Sequence, residues 1–105
     1  MEELKNQIRK IVYEEYERAL KAYGQNHSQH EGYAVLLEEI EEAEDEIVQI
    51  RSLQEEIWSG VKDNSSCLCG RLATHIESGA INLACEAVQV AAMARKFRAL
   101  EGENE

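Results

Sequence analysis

Glu86 lies on the same face of a helical segment as Val90, Met93, Phe97 and Leu100 at 100° per residue. Gln89 falls on that face one turn later and Asn82 one turn earlier. A carboxylate turned toward a core costs several kcal/mol unless it is paired, hydrogen-bonded or bound to a metal. A second group of acids occurs upstream, in the run from Glu38 to Glu46. Glu39, Glu42 and Glu46 follow one flank of the Ile40, Ala43 and Ile47 stripe. Glu38 and Asp45 point away from it, and Glu41 and Glu44 lie on its other side.

Side chains three apart on a helix have Cβ atoms about 5–6 Å from each other. Like charges at that spacing repel mildly and are reconciled by a divalent cation between them. Hard cations such as Mg2+ or Mn2+ favour carboxylate and amide oxygens. Glu39 and Glu42 facing Glu86 and Gln89 would make a four-residue oxygen cage between two helices, a known way of building a metal site in a bundle. Two plainer readings stand beside this one. The acidic run can be a solvated face, and Glu86 can be paired with a Lys or Arg. Lys96 either serves the helix C-terminus with Arg95 and Arg98 through the macrodipole, or reaches a phosphate.

Four helical segments would position these groups. The first spans roughly Glu3 to Tyr23, with apolar residues three and four apart, and Gly24 stops it before a polar turn, closing a unit of residues 1–27. The second, in residues 28–60, opens with Ser28-Gln29-His30-Glu31, a capping box, and continues to about Trp58, before Ser59-Gly60. At about 30 residues it would measure roughly 45 Å, long enough to pack partly against a second subunit. Residues 61–79 read as a capping loop and a short helix from Cys67 to Glu77, and Ser78-Gly79 either breaks that helix or only kinks it into the last one, residues 80–100. Residues 101–105 read as a frayed tail.

The composition favours a single all-α domain over residues 1–105. Proline is absent, and Leu, Ile, Ala, Glu and Lys dominate. A formal net charge of −10 argues against nucleic-acid or anionic-membrane binding, while leaving room for an anionic ligand carried in by a divalent cation. No signal peptide or membrane-spanning run is read, and three cysteines give no disulfide framework, so a cytoplasmic setting is expected. Cys67, Cys69, Cys85 and His75 lack the spacing of a zinc knuckle, and the thiols read as buried groups packing like small apolar side chains. His27 and His30 read as turn and surface residues, and Tyr33 and Trp58 as packing or interface residues rather than base-stacking ones.

The motifs Glu38-Glu39-Ile40-Glu41-Glu42 and Glu86-Ala87-Val88-Gln89 resemble the signature of the MazG-like all-α nucleotide pyrophosphohydrolases, EExxE followed by ExxD on a later helix. The similarity extends over about Ser28 to Phe97 and is greatest to small phage- and prophage-type members. It implies a four-helix bundle completed by homodimer or homotetramer assembly, with the site near a subunit interface. It also implies Mg2+-dependent hydrolysis of a nucleoside triphosphate to the monophosphate and pyrophosphate. Glu39, Glu42 and Glu86 would be metal ligands, and Glu38 would support the metal shell or orient the attacking water. This chain departs from the pattern at Gln89, where the signature has aspartate, and the stretch from Cys67 to Gly79 looks like an insertion. A neutral amide lowers the charge of the cage and cannot act as a base. The alternative is a non-catalytic assembly or nucleotide-binding protein that keeps the fold.

Overall fold

A computed structural model describes residues 1–100, which form three α-helices and no strand. They are α1 (Glu2–Tyr23), α2 (Gln29–Lys62) and α3 (Ser66–Leu100). No helix among the described residues is long and apolar enough to cross a membrane.

Local chemistry sets the helix ends. Gly24 closes α1 with φ 71°, a left-handed conformation that other L-residues seldom adopt, and its amide donates to the Leu20 carbonyl at 2.8 Å. Ser28 caps α2: its Oγ accepts from the Glu31 amide at 3.1 Å. Glu31 reaches back one residue further than a standard capping box requires, accepting from the His27 amide at 2.9 Å. These bonds from His27 hold the Glu31 carboxyl below its ordinary pKa. Between α2 and α3 the chain reverses through residues 63–65, where Asn64 takes φ 56°, a left-handed position that Asn tolerates better than most residues.

Two of the expected boundaries move. Ser59-Gly60 does not end α2, which runs on to Lys62, and Ser78-Gly79 does not separate two helices. The third and fourth segments are one helix, α3, so the described residues supply three helices rather than four. The reason is that these glycines serve close approach instead of termination. Neither has the positive φ with which Gly24 stops α1. A Cβ on Gly60 would lie 2.9 Å from Cys69 Sγ, and one on Gly79 would lie 3.2 Å from Ile50 Cγ1. At the other end of the hairpin, a Cβ on Gly32 would lie 2.8 Å from Phe97 Cδ2.

These three contacts follow one antiparallel register, one residue forward on α2 for each residue back on α3. The same register sets Glu39 and Glu42 opposite Glu86. The stretch from Cys67 to Gly79 is the first part of α3 and runs beside the far end of α2. The expected tail, residues 101–105, lies outside the described residues.

α3 is the central helix, with both α2 and α1 packed on it. Tyr16 and Ala19 of α1 meet Ala92 and Met93 of α3, and Val12, Leu20, Val35, Leu36 and Ala99 pack around them. Small residues allow the helices to close: Ala92 has no exposed surface. The far part of the hairpin extends beyond α1. The molecule measures 58 × 31 × 21 Å with a radius of gyration of 17.9 Å, against about 13 Å for a compact chain of this length. Ile47, Val48, Trp58, Val61 and Ile81 are exposed there.

Candidate metal centre

Glu39 and Glu42 project from consecutive turns of α2, and the hairpin register brings Glu86 of α3 to them. One carboxylate oxygen from each lies within 4.8 Å of the others. Glu39 and Glu86 are half-buried and Glu42 is exposed. Loss of hydration, followed by the charges of Glu42 and Glu86, pushes the Glu39 pKa up to about 7. Glu86 is raised as well, by lost hydration and then by its hydrogen bond and charge interaction with Glu42, with Glu46 adding to it. Metal-free, the cluster therefore favours keeping a proton. A divalent cation fits the donor set, because it would replace the proton and relieve repulsion among three hard oxygen ligands. Exposed acids also cluster in proteins that bind no metal, so the neighbouring groups matter.

Gln89 is one turn beyond Glu86, and its carboxamide is engaged with α1. Its Nε2 donates to Glu15 Oε2 at 2.8 Å. Arg18 holds the same carboxylate from its other side: Nε donates to Oε1 at 3.0 Å, and the guanidinium also bonds Oε2. The hydrogen bonds from Arg18 and then Gln89 keep Glu15 below its ordinary pKa. The four-residue cage read from the sequence is thus three gathered carboxylates, with a neighbouring amide tied to a helix that the sequence reading left out of the site. Glu15 and Arg18 were the missed residues. Their i, i+3 pairing beside the Tyr16 and Ala19 stripe was visible in the sequence, but only the crossing of α1 over α3 gives it meaning.

A cavity of about 420 Å³ opens beside this cluster, lined by Glu38, Glu39, Gln89 and Lys96 as well as Asn26 and Arg18. Lys96 is only 5% exposed and Asn26 only 7%, so both are nine-tenths buried. Lys96 is therefore not a solvated helix-end cation; it lines a wall that also carries Glu39, and its charge acts on Glu31. Glu38 is exposed and borders the same space.

The other candidate groups lie elsewhere. Cys67 and Cys85 are exposed free thiols rather than the buried packing groups expected, whereas Cys69 packs at Gly60 and its Sγ contacts the Ile57 carbonyl at 3.7 Å. His27 bonds Glu31 and His30 is exposed. Tyr33 and Trp58 are exposed, with the Lys62 ammonium 5.6 Å from the Trp58 ring centroid. Arg95 stacks over Tyr13 and Tyr16, at 5.0 and 5.2 Å from their ring centroids. No family model, curated protein or solved structure matches the chain.

Proposed function

We propose that this protein is a MazG-like nucleotide pyrophosphohydrolase, hydrolysing an NTP or dNTP to the monophosphate and pyrophosphate with Mg2+ or Mn2+. The observation that carries this reading is the convergence of Glu39, Glu42 and Glu86 from two helices in a register fixed by glycine contacts. These three carboxylates would hold the ion. When bound, the ion supplies neutralisation of phosphate charge and acidifies water for attack. Lys96, buried along the adjoining cavity, pairs with a phosphate oxygen of the substrate. Glu38, at the rim beside Glu39, accepts a proton from the attacking water and orients it. A homodimer or homotetramer would complete a four-helix bundle by covering the exposed apolar residues of the long hairpin, including Ile47 and Trp58.

One observation favours a second reading. Gln89 cannot act as a base, and its amide nitrogen is already committed to Glu15. A protein that binds nucleotide or assembles without turnover would keep the same helices.

Purified protein offered a panel of NTPs and dNTPs with Mg2+ or Mn2+ separates the two. Pyrophosphate release that is lost in Glu39→Gln and Glu86→Gln is the expected result. Mn2+ uptake without turnover supports the second reading. The absence of both turnover and Mn2+ uptake would overturn the metal centre altogether.

A further inference from the structure

Burying an ammonium is costly unless an anion meets it, and Lys96 is only 5% exposed. Among the described residues it forms no hydrogen bond and no ion pair. Glu31 feels its charge, but as the smallest of the influences on that carboxyl. Both Glu31 oxygens are already engaged by His27, Oε1 by the amide at 2.9 Å and Oε2 by ring Nδ1 at 3.1 Å. Among the described residues, Arg95 Nε is the side-chain atom that is wholly buried without a partner. Lys96 Nζ also lacks a partner but is not wholly buried, so the exposure that Lys96 keeps includes its ammonium. The cavity of about 420 Å³ is the space that it lines.

The same end of the cavity holds other groups that suit an oxyanion. Asn26, also nine-tenths buried, adds a neutral amide. Gly32 makes room for it, since a Cβ there would lie 2.9 Å from Asn26 Nδ2. Arg18 stands at the rim with Nε and Nη2 turned to Glu15, which leaves Nη1 for another acceptor. The opposite end is acidic: Glu38 and Glu39 line it, and Glu39 is one of the three clustered carboxylates. Helical side chains lean toward the N-terminus of their helix, so Lys96 leans back along α3 toward Met93 and Gln89. The cavity therefore has a polarity, with carboxylates where a cation belongs and an ammonium where an anion belongs. The groove beyond the cluster, lined by Glu46, Gln49, His75 and Asn82, has neither lysine nor arginine on its walls. Of these two spaces, only the cavity offers positive charge to phosphate groups extending from an ion at Glu39.

We propose that this cavity receives the pyrophosphate end of the nucleotide, with Lys96 as its binding cation, and not the nucleoside. The identity of the ligand rests on the pyrophosphohydrolase reading. That an oxyanion enters the cavity rests on Lys96 itself and needs no metal. A neutral nucleoside would leave the Lys96 charge as uncompensated as before, whereas pyrophosphate supplies several negative oxygens to it.

The test is titration calorimetry of the full chain with inorganic pyrophosphate in EDTA, repeated with Lys96→Met. The wild type should bind, and Lys96→Met should bind at least about tenfold more weakly, as for a lost charge-assisted hydrogen bond. An NTP added without metal should displace the pyrophosphate, and neutral nucleosides should not. A second measurement needs no variant: at constant ionic strength, pyrophosphate should raise the melting temperature of the metal-free wild type. No binding to the wild type, or equal binding by Lys96→Met, overturns the oxyanion site. Displacement by a nucleoside overturns the orientation. An NTP that leaves pyrophosphate bound reveals a site for free pyrophosphate and overturns the assignment to the substrate. A wild type that binds pyrophosphate through Lys96 but turns over no nucleotide overturns the pyrophosphohydrolase reading and leaves the oxyanion site standing.

Discussion

Nε2 of Gln89 lies 2.8 Å from Oε2 of Glu15, joining residues 74 positions apart. α1 carries none of the three clustered carboxylates, yet through this bond it controls the residue one turn beyond Glu86. The bond also explains how a glutamine is accommodated at a position where a second negative charge would face Glu15.

Replacing Gln89 with aspartate should therefore destabilise the metal-free protein. The donor to Glu15 is lost and like charge is introduced, a change of about 1.5–3 kcal/mol for a hydrogen bond to a charged group. Urea denaturation with and without Mn2+ checks this. We expect a lower midpoint without metal and partial recovery with it. An unchanged midpoint would mean that the Glu15 bond is not formed in solution.

Stability should fall with rising pH in the absence of divalent cations. Glu39 has an ordinary pKa of 4.5 and is pushed up to about 7 in the fold, and Glu86 shifts the same way. The folded state thus holds protons that the unfolded chain has released. This stabilisation is fully present below pH 4.5 and is lost as pH rises through about 7. Glu15 and Glu31 act oppositely: their lowered values give stability that is present above 4.5 and lost on further acidification. Melting temperatures from pH 5 to 8 should decline for the metal-free wild type and stay flatter for Glu39→Gln. Saturating Mn2+ should remove the decline in the wild type only.

Lys96 separates packing from charge. Lys96→Met keeps most of the buried stem and removes the ammonium, so the melting temperature should change little, within about 1 kcal/mol of stability. Pyrophosphate release should drop at least about tenfold, as befits a lost charge-assisted phosphate contact. Full activity in the methionine variant would remove Lys96 from the site.

Two glycines should respond in opposite directions to alanine. At Gly32 the new Cβ would meet Phe97 Cδ2 at 2.8 Å and Asn26 Nδ2 at 2.9 Å. Gly32→Ala should cost about 1–3 kcal/mol through overpacking. Gly70, inside α3, has nothing within 4 Å of a Cβ, so Gly70→Ala should stabilise by about 0.5–1 kcal/mol. Guanidinium denaturation of the two variants reads both signs at once. Stabilisation by Gly32→Ala would show that the hairpin is looser there than the Phe97 contact implies.

Much of the helical pattern was legible because it is local. Apolar spacing marked α1, Gly24 marked its end and Ser28 with Glu31 marked the start of α2. In sequence Gly60 reads as a helix end and Gly79 as either a break or a kink, because a glycine at a helix end and one at a helix–helix contact look alike. What separates them is a neighbour distant in the chain: Cys69 for one, Ile50 for the other.

The same division holds at the candidate site. Helical periodicity alone put Glu39 beside Glu42, and Glu86 one turn from Gln89, because each spacing lies within one helix. Whether Glu86 meets Glu39, which side of α3 receives α1, and what Gln89 bonds depend on the hairpin register and the crossing of α1. Those are set by close packing at Gly32, Gly79 and Ala92, and by the Arg18–Glu15 pair. Contacts of that kind depend on shape between distant segments, so only the tertiary structure decided them.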